Sequence, residues 1–175
     1  MVIWRALMIF SFQNAPFRDT ETGLYNQAYF MEIFNREWHR LIRDNDSLSI
    51  LLFNPHIRTT SETEKAKLIQ VGNILTEQTL RSTDITCRFN EHCFAMGLFG
   101  LDTEGTKVIV SRIQNALLEQ EKLGLLHCNL SIGAVNVKPE LTIEPGAIFE
   151  KTITALHYAE QSGVNAYQLE TYTIH

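Results

Sequence analysis

No apolar run in this chain is long enough to cross a bilayer, and no C-x-x-C pair, P-loop or G-x-S-x-G turn occurs in it. Cysteine is scarce: Cys87, Cys93 and Cys128 are odd in number and unpaired in spacing, which excludes a disulfide framework and a zinc knuckle. The simplest compartment for such a chain is a reduced, cytoplasmic one. There is no excess of positive charge either. Fifteen basic against twenty acidic residues leave a net charge of -5, so there is no general pull towards nucleic acid or an anionic membrane. Low-complexity tracts, repeats and long linkers are also missing. With 45% hydrophobic and 20% charged residues over 175 positions, what remains is the composition of one globular domain.

The apolar start, Met1 to Phe12, is too short to span a membrane and is broken by Arg5. It has no signal-peptide cleavage pattern. Residues 1–18 are therefore expected to be an N-terminal extension or linker stump that packs on the domain or a partner, with Trp4, Phe10, Phe12 and Phe17 as its packing residues. Residues 19–172 are expected to form the domain.

The hydrophobic periods alternate between helical and extended. Helices are predicted from Asn26 to about Arg43, from Glu62 to about Leu80, from Glu104 to about Glu121 and from Gly146 to about Ser162, with Gly163 as a C-cap. The inward stripe of the third is predicted to be Val108, Ile109, Ile113 and Leu117. Strands are predicted at Leu48–Phe53, Ile85–Phe89, Cys93–Phe99, Leu126–Val137 and Ala166–Leu169. Only three residues separate the second from the third, which requires a hairpin. The class is thus α/β with a mixed or antiparallel sheet, not a doubly wound parallel one.

Four blocks in order carry a more specific signal. Asp19-Thr20-Glu21-Thr22-Gly23-Leu24-Tyr25-Asn26 is similar to D-x-L-T-G-L-x-N; Arg81 to Phe89 is similar to R-x-x-D-x-x-x-R-[YF]; Leu130 to Ala134 is similar to an S-I-G-V strand; and Ala155 to Asn165 is similar to A-L-Y-x-A-K-x-x-G-R-N. Together they resemble GGDEF domains, the diguanylate cyclase family, over about Asp19 to Leu169. The resemblance implies a central five-stranded, mostly antiparallel sheet flanked by helices, as in nucleotide cyclase palms.

It also implies where catalysis would sit, and those positions depart from the pattern. The G-G-[DE]-E-F signature falls on Asn90-Glu91-His92-Cys93-Phe94. Side chains on Asn90 and Glu91 replace glycines that admit a nucleotide. His92 replaces one magnesium carboxylate and Asn54 the other, and magnesium prefers hard oxygen ligands. Pro55 removes a backbone N–H beside Asn54. Glu160 and Val164 replace the lysine and arginine that hold phosphates, which reverses the local charge. A catalytically inactive domain is expected, with no catalytic residues, no metal and no cofactor.

What the resemblance leaves is a product site. Its R-x-x-D motif, five residues ahead of the signature, is Arg81-Ser82-Thr83-Asp84, and Arg112 on the following helix matches an arginine that joins it. The chemistry suits guanine: an arginine reads O6 and N7, a carboxylate accepts from N1–H and N2–H, and a second arginine stacks or neutralises phosphate. The bland alternative is a surface Arg–Asp pair of little energetic weight. The expected function is a cyclic di-GMP receptor acting through a protein partner or homodimer, with polysaccharide export or motility as the family's usual outputs. A ligand-free dimerisation or scaffold domain is the alternative, and a residual cyclase a distant third. A transition-metal site at His56, His92 and Cys93 is the sharper reading of that corner; a solvent-facing histidine and a packed cysteine is the preferred one.

Overall fold

The computed structural model describes residues 17–174. The expectation for residues 1–18 therefore lies outside the described residues except at Phe17 and Arg18. Phe17 packs its ring 5.1 Å from that of Tyr29, and the Arg18 guanidinium lies 3.9 Å from the Tyr25 ring.

Among the described residues there are six strands and four helices. In chain order they are β1 (Tyr25–Asn26), α1 (Gln27–Asp44), β2 (Leu48–Asn54), α2 (Glu62–Glu77), β3 (Ile85–Arg88), β4 (Phe94–Phe99), α3 (Thr103–Lys122), β5 (Ser131–Val137), α4 (Pro145–Ser162) and β6 (Tyr167–Thr171). The sheet order is β1-β3-β4-β2-β5-β6. The three inner pairings are antiparallel, and the two outer ones, β1 with β3 and β5 with β6, are parallel. The sheet is mixed, as the hairpin requires. The strand beyond the expected five is the two-residue β1, too short to leave a period in the sequence.

Local chemistry sets the helix ends. Asn26, Ser61 and Asp102 each accept a backbone N–H of the first turn of α1, α2 and α3. Asn45 closes α1 in the left-handed conformation at φ 55°. Gly163 follows α4 at φ 132°.

The β2 strand is buried on both faces, and its residues alternate between two cores. Ile50 and Leu52 join Phe30, Phe34, Trp38 and Leu41 of α1 and Phe149 of α4. Leu51 and Phe53 join Val71 and Leu75 of α2 and Ile113 of α3. The result is three layers, with the sheet between two helix pairs. Gly133 lies where β5 meets α4: a Cβ there would collide with the backbone of Leu156. One buried polar group, Asn136, donates to the carbonyls of Leu48 and Leu101 and to Ser49 Oγ, which itself bonds Thr106.

Two expected details differ. Val108 is exposed and Val110 takes its place, because the buried stripe of α3 runs through Thr106, Ile109, Val110 and Ile113. Regular pairing in β5 begins only at Ser131, although Leu126 and Leu130 are buried ahead of it.

Candidate functional site

Two corners hold the residues singled out by sequence. The first lies at the turn between β3 and β4 and the neighbouring end of β2. Asn90 Oδ1 accepts the backbone N–H groups of His92 and Cys93, both at 2.8 Å, and Phe89 N–H donates to the Cys93 carbonyl. The turn at residues 90–93 is thus locked: Asn90 closes it, with Glu91 and His92 exposed. Next to it, Phe94 pairs with Phe53, which brings Asn54 to the same end of the sheet.

Asn54 is already engaged. Its Oδ1 accepts the His56 N–H at 2.9 Å in a turn that holds His56 at φ 54°. The His56 ring places Nε2 2.9 Å from Ser131 Oγ, and Cys128 Sγ reaches the Pro55 carbonyl at 3.6 Å. Burial pushes the Cys93 thiol up to about 11, and the negative charge of Glu160 on α4 adds to the shift. Val164 is exposed.

These residues do not fit a magnesium pair. The oxygen at the β2 end is an amide already spent on a backbone N–H, and its neighbours are an imidazole and a protonated thiol. Among the described residues no group of three histidine, cysteine, aspartate or glutamate side chains could hold a metal ion. The sharper reading of His56, His92 and Cys93 therefore has no ligand cluster behind it.

A network missed in the sequence underlies this corner. The Arg88 side chain is only 9% exposed, and its Nη1 bonds the carboxylates of Asp19 and Glu21. Its Nη2 donates to the Glu91 carbonyl at 2.9 Å. Burial opposes ionisation of Asp19, yet the Thr22 hydroxyl and N–H together with Arg88 hold its carboxyl below the usual value. The opening turn and the β3–β4 hairpin thus share one guanidinium. Both halves of this contact lie in motif blocks, but no local spacing signals that they touch.

The second corner is the exit of β4. Arg81 is exposed, and its Nη1 donates to the Gly100 carbonyl at 2.7 Å and to the Phe99 carbonyl at 3.4 Å. Asp84 Oδ1 accepts the Phe99 N–H, and Oδ2 accepts the Arg81 N–H, both at 3.4 Å. Burial pushes the Asp84 carboxyl above its usual value; the two N–H groups and the Arg81 charge offset this only in part. Arg81 and Asp84 therefore share one loop without a side-chain ion pair between them. Arg112 lies further along α3, half-buried, with no ion pair or side-chain hydrogen bond among the described residues. A third group, Asp46, stands beside Gly100 with Arg81. It had no sequence signal, because it reaches Gly100 only through the pairing of Gly100 and Leu101 N–H with the Ser47 carbonyl.

Apart from both corners, Met31, Trp38 and Ile42 of α1 and Leu141, Glu144 and Phe149 line a groove of about 240 Å³. Among the described residues no helix is long and apolar enough to cross a membrane.

No family model matches the chain, and no curated protein matches it. Solved structures do. The diguanylate cyclase SiaD from Pseudomonas aeruginosa, in complex with its activator SiaC, is 18% identical with a TM-score of 0.74, over 97% of this chain and 66% of that one. The FimX GGDEF domain from the same organism is 17% identical with a TM-score of 0.69, over 90% of this chain and all of that one. The GGDEF domain of DgcB from Caulobacter crescentus, in complex with c-di-GMP, is 15% identical with a TM-score of 0.75, over 89% and 96%. This chain therefore has the fold of the GGDEF domains found in diguanylate cyclases.

Proposed function

We propose that this chain is a non-catalytic receptor domain for cyclic di-GMP, which binds the dinucleotide at Arg81, Asp84 and Arg112 and passes the signal on by contact with a protein partner or a second copy. The observation that carries the reading is the β4 exit. There an exposed guanidinium is oriented through one nitrogen by the Gly100 carbonyl, which leaves its outer edge for O6 and N7 of a guanine. A carboxylate stands on the same loop for the N1/N2 edge, and Arg112 supplies a further cation for phosphate or a base face. Solved structures of the same fold include DgcB in complex with c-di-GMP and Vibrio cholerae LapD bound to c-di-GMP.

The first corner supports the non-catalytic half of the proposal. Phosphoryl transfer rests on metal and cation electrostatics. In this reading Asn54 and His92 replace the two metal carboxylates, and Glu160 replaces a phosphate cation with a negative charge, one that also adds to the raised pKa of Cys93.

Calorimetry with cyclic di-GMP tests the binding half. A micromolar or tighter constant that is lost in Arg81→Ala and Asp84→Ala supports it, and no heat near millimolar ligand rejects it. Incubation with GTP and magnesium or manganese tests the other half: linear or cyclic dinucleotide product would overturn it. The second reading, a ligand-free scaffold, draws on the groove between α1 and the start of α4, where Leu141 is 87% exposed. Self-association without ligand would favour that reading.

A further inference from the structure

The two edges of the sheet are finished differently. At one, β1 is two residues long, and the chain ahead of it closes over it: Asn26 N–H donates to the Phe17 carbonyl, and Arg18 bridges Tyr25. At the other, β6 runs for five residues, Tyr167–Thr171, and no strand lies beyond it among the described residues.

The register fixes which backbone groups are open there. Ile132 N–H donates to the Ala166 carbonyl and Tyr172 N–H to the Asn136 carbonyl, so the even-numbered residues of β6 face β5. The N–H and C=O groups of Tyr167, Leu169 and Thr171 therefore point away from the sheet, with no partner among the described residues. Proline, lysine or a bulge commonly keeps an open edge from pairing, and β6 has none of the three.

The segment is also complementary to itself. Antiparallel pairing of two copies about Leu169 sets Leu169 against its counterpart, Tyr167 opposite Thr171, and Gln168 opposite Glu170. An aromatic ring meets a β-branched residue and an amide meets a carboxylate, with no like charges opposed. A register centred on Glu170 would oppose two carboxylates. The faces agree as well. Leu169 packs into the core beneath α2 and α3, whereas Glu170 borders a hollow of about 350 Å³ with Lys151 of α4 and Tyr172. Gln168 of the second copy arrives on the Glu170 face, where that hollow gives its amide room.

We infer that β6 is a self-pairing edge: two copies join antiparallel about Leu169, and their sheets run on into one across a two-fold axis. Each facing pair among the open residues exchanges two N–H···O=C bonds. The pairing stands apart from the receptor reading, for which it supplies the second copy, because β5 and β2 lie between β6 and the β4 exit where Arg81 rests. It uses none of the residues that line the groove between α1 and α4.

Sedimentation equilibrium on the full chain, from about 1 to about 500 µM, is the test. The expected result is a reversible monomer–dimer equilibrium. Thr171→Pro removes an outward N–H that β5 does not use, and should weaken the dimer about tenfold or more. Thr171→Val loses the hydroxyl contact with Thr103 but keeps that N–H, and should leave the dimer within about twofold of the parent. Gln168→Glu opposes carboxylates at two symmetric places and should weaken the dimer about fivefold, whereas Gln168→Lys should tighten it about fivefold. The same two changes at Gln70, exposed on α2, should act less than about twofold, which separates a facing pair from the effect of net charge. Melting transitions report whether each variant folds; should Thr171→Pro fail to melt cooperatively, the Gln168 variants decide. A chain that stays monomeric at about 500 µM overturns the inference, as does a dimer indifferent to the β6 variants. A dimer lost instead in Leu141→Asp lies at the groove and overturns it too. Absence of heat with cyclic di-GMP rejects the receptor reading alone, since a dimer lost in Thr171→Pro would still uphold the pairing.

Discussion

Arg88 Nη1 contacts the carboxylate of Asp19 across the whole of α1, β2 and α2, at 3.4 Å. Glu21 shares the same nitrogen, and the Glu91 carbonyl takes the other arm of the fork. The turn ahead of β1 and the turn between β3 and β4 are therefore tied to one largely buried cation.

Loss of that cation should be costly. Arg88→Ala takes one donor from each of two carboxylates and from a carbonyl, while Asp19 keeps the hydroxyl and N–H of Thr22, and hydrogen bonds to charged groups are each worth about 1.5–3 kcal/mol. A loss of about 2–3 kcal/mol in urea unfolding is expected after allowance for the exposure of Glu21. A change below about 0.5 kcal/mol would show that the network is slack.

The two aspartates at the corners should respond to acid in opposite senses. Asp19 has its folded pKa held below the unfolded value, so its contribution is complete above the ordinary aspartate range and is lost as pH falls through the folded pKa. Asp84 has its folded pKa raised, so the fold binds its proton more tightly, and that contribution is present at low pH and lost as pH rises through the folded value. Asp19→Asn should therefore flatten the acid limb of a stability–pH curve. Asp84→Asn should not lower stability at pH 7. A large destabilisation by Asp84→Asn at neutral pH would contradict the burial cost assigned to it.

The cysteines should be slow nucleophiles. Burial pushes Cys93 and Cys128 up to about 11, and Cys87 is fully buried and shifted well above its ordinary value. Alkylation of the folded chain by iodoacetamide at pH 7.5 should run about a hundredfold slower than for a free thiol, as mass spectrometry would report. Glu160→Gln should speed Cys93 only modestly, because burial is the larger cause of its shift. A rate at Cys93 close to that of a free thiol would show the hairpin to be open.

Two packing positions test the frame beneath both corners. Gly133→Ala forces a methyl into the backbone of Leu156, where nothing flexible can yield, and should cost about 3 kcal/mol. Asn136→Ala orphans the carbonyls of Leu48 and Leu101 near the start of α3 and should cost about 2 kcal/mol. Thermal melts that fail to move for either substitution would refute the close approach of β5 to α4 or the polar tie of β2 to α3.

The elements themselves were legible from local chemistry. Phe30, Phe34, Trp38 and Leu41 repeat at helical steps and line one core, and Asn26 caps the helix that its position suggested. The hairpin followed from three residues between two apolar runs. Residues without a period were harder to see. The β1 strand is two residues long, and Val108 fell on the wrong side of α3 because an amphipathic stripe is broad and only the neighbouring helix and strands decide its centre.

Sequence alone determined the classes of chemistry present: no carboxylate at Asn54 or His92, no cation at Glu160 or Val164, and a guanidinium and carboxylate three positions apart at Arg81 and Asp84. Identity and spacing along the chain are enough for that, because a missing group is missing in any conformation. The tertiary structure alone decided what each remaining group faces. Arg88 meets Asp19, and Arg81 rests on the Gly100 carbonyl. Those contacts join segments far apart in sequence, and they exist only because the sheet brings the ends of its strands together.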